Sequence, residues 1–163
     1  MTRILVIADT HARTPERLLP GMLEMVAEAD VVVHCGDYIG AAVLAELRRL
    51  AKNFIGVFGN TDSREVRDLL PAETTFEVEG RKVAVTHPHW AGEPFGLEEE
   101  VAARFGDADV VLFGHTHEPY KGISGSVFVL NPGQGYSSFM VSATVAVLTV
   151  DGRGVAGEII TLQ

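Results

Sequence analysis

Short apolar runs that stop at a residue able to bind a metal ion recur along this chain. Arg3 to Ala8 ends at Asp9-Thr10-His11, Val31 to Cys35 at Gly36-Asp37, and Phe54 to Phe58 at Gly59-Asn60. Further on, Lys82 to Thr86 ends at His87-Pro88-His89, and Val110-Val111-Leu112-Phe113 ends at Gly114-His115-Thr116-His117. Runs this short, rich in β-branched residues and closed by Gly or polar residues, suit buried strands. In extended chain, residues i and i+2 point to one side, roughly 6–7 Å apart. His115 and His117 can therefore face one pocket from the lip of a sheet.

Between the early runs the periodicity changes. Residues 14–29 are helical in character, with Thr14 suited to an N-cap and Pro15 to the first helical position. Pro20-Gly21 lies inside that pattern, so a regular helix that begins only at Pro20 also fits, with Met22, Leu23 and Val26 on its apolar face. From Gly40 to Lys52, Val43, Leu44, Leu47, Leu50 and Ala51 keep helical spacing. Leu97, Val101 and Phe105 do the same in a shorter stretch. Strands alternating with helices imply a parallel sheet, whose ligand sites form outside the carboxyl ends of its strands. The later chain reads differently. Thr74 to Glu79 and Lys82 to Thr86 form a hairpin at Glu79-Gly80-Arg81. Val127 to Leu130 is a strand ended by Asn131-Pro132-Gly133, and Val145–Val150 with Val155–Leu162 make a last hairpin. Gln134 to Ser142 carries no periodicity that assigns it an element. The whole reads as one α/β domain over residues 1–163, parallel in its first half and antiparallel toward the end. A sheet packed on a sheet, with helices outside, would bury all these strands.

Composition narrows the classes. The net charge of −9 argues against a broad nucleic-acid surface, whose affinity comes from Lys and Arg. It leaves a small phosphate substrate open, because bound cations reverse the local field. No apolar run approaches the roughly 18 residues that span a bilayer, and Ile4 to Ala8 is too short for a signal peptide. A cytoplasmic location away from membranes is the expectation. The single cysteine, Cys35, excludes an intramolecular disulfide and reads as a buried, inert thiol.

Asp9, His11, Asp37, Asn60, His87, His115 and His117 are all ligand types. Their mixed oxygen and nitrogen donors suit Mn, Fe, Ni or Zn. Seven donors exceed what one first-row ion with an open position needs; they suit two ions sharing a carboxylate. Two metals about 3.5–4 Å apart serve in-line displacement at phosphorus. Each fragment alone has an ordinary explanation, such as a turn or a hydrogen-bonded histidine; their joint placement at strand ends does not.

The ordered set Asp9-Thr-His11, Gly36-Asp37, Gly59-Asn60, His87 and Gly114-His115-Thr-His117 resembles the calcineurin-like metallophosphoesterase superfamily. Gly59-Asn60-Thr61-Asp62, Asn131-Pro132-Gly133 and the short length resemble its small bacterial and archaeal phosphodiesterase branch. The resemblance runs from about residue 3 to residue 162. It implies a four-layer α-β-β-α sandwich of two mixed β-sheets flanked by helices. It also implies that Asp9, His11, Asp37 and His117 hold one divalent ion and that Asp37, Asn60, His87 and His115 hold the other, with Asp37 as the bridge. The superfamily's protein phosphatases have a histidine where this chain has Thr61, which points away from that activity. The branch usually has glycine where this chain has Pro88, and this leaves His87 or His89 as the ligand, with His87 preferred as the first after the strand.

The expected chemistry is hydrolysis of a phosphodiester by a water or hydroxide bridging two divalent ions, manganese first, with nickel, iron or zinc as alternatives. Asn60 would hold one ion and touch the phosphate, and His89 would protonate the leaving oxygen. An interaction scaffold of the retromer-subunit type is the alternative, disfavoured because all seven positions are filled. A metallo-β-lactamase type is set aside, since it requires His-x-His-x-Asp-His after a strand. Arg13, Arg64 and Arg67 are loop cations within possible reach of a phosphate, though each also reads as a solvated surface charge. Trp90, Phe95, Tyr136 and Phe139 lie in loops that can shape substrate access or a subunit contact, and a homo-oligomer through one of these loops is expected.

Overall fold

The central strands are apolar on both faces, and the structure covers both. A computed structural model describes residues 1–93 and 95–163. Its strands are β1 (Thr2–Ile7), β2 (Val31–His34), β3 (Phe54–Gly56), β4 (Glu73–Val78), β5 (Arg81–Thr86), β6 (Val110–Phe113), β7 (Tyr120–Ser124), β8 (Val127–Asn131), β9 (Thr144–Asp151) and β10 (Gly154–Thr161). Its helices are α1 (Pro20–Glu28), α2 (Ala41–Leu50), α3 (Arg64–Leu69) and α4 (Leu97–Arg104). One five-stranded sheet has the order β10-β9-β1-β2-β3 and the other β4-β5-β6-β8-β7. Among the described residues no helix is long and apolar enough to cross a membrane.

Alternation along β1 shows how the layers form. Ile4 and Val6 turn inward against Val83, Val85, Val110 and Leu112 of the second sheet. Leu5 and Ile7 turn outward against Met22 and Val26 of α1 and Val43, Leu44 and Leu47 of α2. On the far side Ala84, Val111, Phe113 and Val129 meet Leu97 and Val101 of α4. A strand covered on both faces must be apolar at every position, which is why these runs lack polar alternation. The result is the four-layer α-β-β-α sandwich that the resemblance implies.

Pairing departs from the sequence reading in one respect. β1, β2 and β3 are parallel and β9–β10 is an antiparallel hairpin, as expected. Parallel pairing is not confined to the first half, however, because β5–β6 and β6–β8 are parallel as well. The second sheet thus has a parallel centre with an antiparallel strand at each margin, whereas the first is parallel from β1 to its β3 edge and antiparallel from β1 to its β10 edge. Residues 14–29 are not one helix: Pro15–Arg17 is a single 3-10 turn, and the regular helix starts at Pro20. α3, capped by the Ser63 side chain accepting from Val66 N–H, is too short to show a helical period in sequence, and the half-exposed edge strand β7 has no apolar run to mark it.

Leu112 sits at the middle of the intersheet core with no exposed surface. We expect Leu112→Ala to lower unfolding stability by about 2–5 kcal/mol, measured by urea unfolding in the presence of chelator; a loss below about 1 kcal/mol would mean that the two sheets close over the cavity.

Candidate metal centre

The singled-out residues sit on the loops leaving β1, β2, β3, β5 and β6, and the parallel strands of both sheets deliver those loops to one place. One donor atom each from Asp9, His11, Asp37 and His117 lies within 4.8 Å of the other three. His11 Nε2 is 3.2 Å from His117 Nε2, 3.4 Å from Asp37 Oδ2 and 3.8 Å from Asp9 Oδ1. His117 Nε2 is 3.5 Å from the same Asp9 oxygen. Asp9 Oδ1 is buried and has no hydrogen-bond partner. An unsatisfied buried carboxylate oxygen is costly, and two imidazole nitrogens aimed at each other gain little without a shared partner. A divalent cation satisfies all four donors, so this set fits one.

Asp37 also faces the other way. Its Oδ2 is 3.4 Å from His87 Nε2, which lies 3.0 Å from Asn60 Oδ1, and the His115 ring stands edge-on to His87 at 5.0 Å. This second group is joined pairwise and is looser than the first. His87 Nδ1 donates to the Cys35 carbonyl (2.8 Å), which leaves Nε2 as the lone-pair nitrogen facing Asp37 and Asn60. His89 is exposed, with Nδ1 donating to the His87 carbonyl (3.0 Å). Of the two histidines around Pro88, His87 is the one inside the pocket; the proline does not displace it.

Backbone geometry is unusual here. Asp9, His11, Asp37, His115 and His117 have φ of 50°, 43°, 63°, 85° and 64°. Such conformations cost on the order of 1–3 kcal/mol each and persist only where surrounding structure enforces them. The enforcing bonds can be named. Asp9 N–H donates to the Gly36 carbonyl and His11 N–H to the Asp37 carbonyl. His115 N–H donates to Asp9 Oδ2 (3.0 Å). The Asp62 carboxylate accepts from the N–H groups of Asp37 (3.0 Å), Ile39 (2.8 Å) and Gly59 (2.7 Å). A Cβ on Gly59 would overlap the Asp37 carboxylate, so only glycine fits there.

Electrostatics follow from the crowding. Burial pushes the Asp37 carboxyl up, but the hydrogen bond and charge of His87, with the Thr61 N–H, hold it well below the usual range. His11 is raised by the neighbouring Asp9 and Asp37 carboxylates against its burial, and His87 is raised by Asp37 and Asp9 against its burial. His115 is lowered by burial and by His87. The upward shifts of His11 and His87 mean that the carboxylates favour a proton on these rings, so a cation and protons compete for the same donors.

Sequence reasoning passed over three residues that shape the site. Asp62 was visible only as part of Gly59-Asn60-Thr61-Asp62. His34 lies fully buried, its Nδ1 accepting from Gly36 N–H (3.1 Å), its Nε2–H donating to Thr10 Oγ1 (3.1 Å), its ring stacked on Tyr38 at 3.7 Å. Asn131 donates to Thr116 Oγ1 (3.0 Å) and accepts from Gly133 N–H (2.9 Å), steadying the His115–His117 loop. The unassigned stretch after it packs on the site: Gly135 N–H donates to the Ala8 and Asp9 carbonyls, and Tyr136 stands edge-on to His11 and His117.

The arginines separate. Arg67 donates to the Asn60 and Asp62 carbonyls and holds that loop; Arg64 pairs with Asp68. Arg13 lines a groove of about 530 Å³ with His11, Arg17 and Tyr136. A second groove, of about 250 Å³, opens from His115 between Ala91 and Leu97. Trp90 lies under the Arg104 guanidinium of α4 at 4.4 Å, whereas Phe95 and Phe139 are 90% and 91% exposed.

Residues 2–153 match the calcineurin-like phosphoesterase superfamily domain. The chain belongs to that superfamily. It is 26% identical to a phosphodiesterase of Methanocaldococcus jannaschii, over 93% of this chain and 95% of that one. It is 30% identical to a phosphodiesterase of Escherichia coli, over 82% and 79%. A solved structure of a Thermotoga maritima protein matches with a TM-score of 0.77 at 34% identity, over 99% and 100%. Vacuolar protein sorting 29 from Cryptosporidium parvum matches with a TM-score of 0.76 at 20% identity, over 99% and 98%, a likeness of fold alone. Family membership makes the chain a phosphoester hydrolase and implies divalent metal ions as its cofactors.

His34 supplies a pH test. Burial lowers its pKa to about 3, below the roughly 6.5 of an unfolded histidine. The unfolded chain therefore binds one more proton between these values. The stability contribution is complete above about pH 6.5 and is lost as pH falls toward 3. In chelator, His34→Gln is expected to reduce the pH slope of unfolding free energy over pH 6.5 to 4 by about one proton; an unchanged slope would show that His34 is charged in the native state.

Proposed function

We propose that this chain is a two-cation phosphodiesterase in which Asp9, His11, Asp37 and His117 hold one divalent ion. Asp37, Asn60, His87 and His115 hold the other, and Asp37 is shared. The observation that carries this reading is the Asp37 carboxylate, whose Oδ2 faces His11 and His87 at the same distance, 3.4 Å, beside the unsatisfied Asp9 oxygen. Divalent cations held there supply charge neutralisation at the phosphoryl oxygens and make water nucleophilic near neutral pH. The oxygen- and nitrogen-rich donor set supports manganese first, with nickel, iron or zinc as alternatives.

The chain's own groups do the rest. Asn60 directs its amide oxygen inward, which leaves its N–H donors for a phosphoryl oxygen. His89, its Nδ1–H donating to a carbonyl, would give a proton from Nε2 to a departing alkoxide when the ring is in its imidazolium form. Two grooves meeting at one centre support a diester over a monoester, since a diester has two arms to place. The scaffold reading rests on fold likeness alone and leaves the charged, strained cluster without a purpose.

The test is hydrolysis of bis(p-nitrophenyl) phosphate beside p-nitrophenyl phosphate, with Mn²⁺ and with chelator. Diester turnover that stops in chelator and falls at least about 100-fold in Asp37→Asn is expected. Turnover of the monoester alone, or turnover that survives chelation, would overturn the reading.

The exposed Phe139 and Met140 at the tip of the loop carrying Tyr136 support association of this chain with a second copy. Light scattering at micromolar concentration is expected to return a multiple of 17.5 kDa, and Phe139→Ser with Met140→Ser to shift the mass to the monomer. A monomer mass for the unaltered chain would exclude that contact.

A further inference from the structure

The two grooves at the metal centre differ in charge, and the difference assigns the arms of the substrate. The groove beside His11 is walled by Arg13 and Arg17. Neither has a carboxylate within ion-pairing distance among the described residues, and no Lys or Arg is among the residues lining the groove on the His115 side. In a chain of net charge −9, two unneutralised guanidiniums on one wall stand out. Their backbone is fixed. The 3-10 turn Pro15–Arg17 is closed by Arg17 N–H on the Thr14 carbonyl and Leu18 N–H on the Pro15 carbonyl. The Arg13 carbonyl packs against Gly40, where no side chain would fit. Across the groove stands Tyr136, edge-on to His11 and His117.

The groove beyond His115 has the opposite character. Glu93 lines it, and Glu98 and Glu118 line its continuation past Leu97. An anionic arm is repelled there and attracted to the arginines. A volume of about 530 Å³ also exceeds what one phosphoryl group fills and matches the size of a small-molecule site.

We propose that Arg13 and Arg17 form an anion subsite for a second phosphate, borne on one arm of the diester, with the uncharged leaving arm in the groove beyond His115. This rests on the phosphodiesterase reading. A guanidinium binds phosphate by paired, charge-assisted hydrogen bonds, which gives position as well as affinity. In the hydrolysis that follows, water oxygen bonds to phosphorus and the bond from phosphorus to the leaving oxygen breaks. That oxygen keeps the electron pair and takes a proton, and the second phosphate stays untouched on the retained arm.

A matched pair of substrates tests this: thymidine 5′-(p-nitrophenyl phosphate), with and without a 3′-phosphate. With the Mn²⁺-loaded protein, the 3′-phosphorylated ester is expected to have a kcat/KM higher by about tenfold or more. In Arg13→Gln/Arg17→Gln the ratio should fall to within about twofold of one. A ratio near one for the unaltered protein, or a high ratio that the double variant keeps, overturns the subsite while turnover itself upholds the phosphodiesterase reading. If neither ester is cleaved, titration calorimetry with thymidine 3′,5′-bisphosphate and thymidine 5′-monophosphate separates the two ideas. Tighter binding of the bisphosphate that is lost in the double variant keeps the subsite and overturns only the catalytic reading. Equal binding of the two nucleotides overturns both.

Discussion

One buried carboxylate gathers three backbone N–H groups, and the ligand loops depend on it. Asp62 accepts from Asp37, Ile39 and Gly59, tying the loop after β2 to the loop after β3. Without that bond set, Asp37 at φ 63° and Ile39 at φ 84° would relax toward ordinary backbone. The donors on Asp37 would then turn away from His11 and His87. Because Asp62 is 5% exposed, water cannot take over its role. Asp62 places ligands from inside the loop and is not among the donors that converge on the centre.

The same economy appears at the other strand ends. His34 serves the loops after β1 and β2 through Thr10 and Gly36, and Cys35 orients His87 across the sandwich through its carbonyl. Asp, Asn and His are the residue types that tolerate positive φ best after glycine. They are also the types that bind cations. Backbone strain and ligand chemistry therefore select the same residues at Asp9, His11, Asp37, His115 and His117.

Much of this was legible in the chain itself. Strands buried on both faces must be continuously apolar, so β1, β2 and β6 announced themselves, as did the helical spacing of Val43, Leu44 and Leu47. The ligand types were visible because a polar residue directly after such a run has few other uses. Positive φ, by contrast, leaves no mark in sequence unless glycine carries it. Nor could spacing separate His87 from His89; that needed the Cys35 carbonyl, 52 residues away in the chain. β7 escaped because a half-exposed edge strand carries no apolar run, and α3 because six residues are too few for a helical period to repeat. Tyr136 and Arg17 gained meaning only when the loop after β8 and the turn before α1 came to flank His11.

The convergence of loops from both sheets has a mechanical side. Asp9, His11, Asp37 and Asn60 belong to the first sheet, and His87, His115 and His117 to the second. The intersheet core is held by apolar packing, which is non-directional, while the strand ends approach closely: a Cβ on Gly114 would stand 2.9 Å from both Ala8 and Asp9. A cation shared by donors of both sheets would be a rivet at one margin of the sandwich. The unfolding free energy would then depend on the solution as well as on the fold, growing by about 1.4 kcal/mol for each tenfold rise of free cation above its dissociation constant.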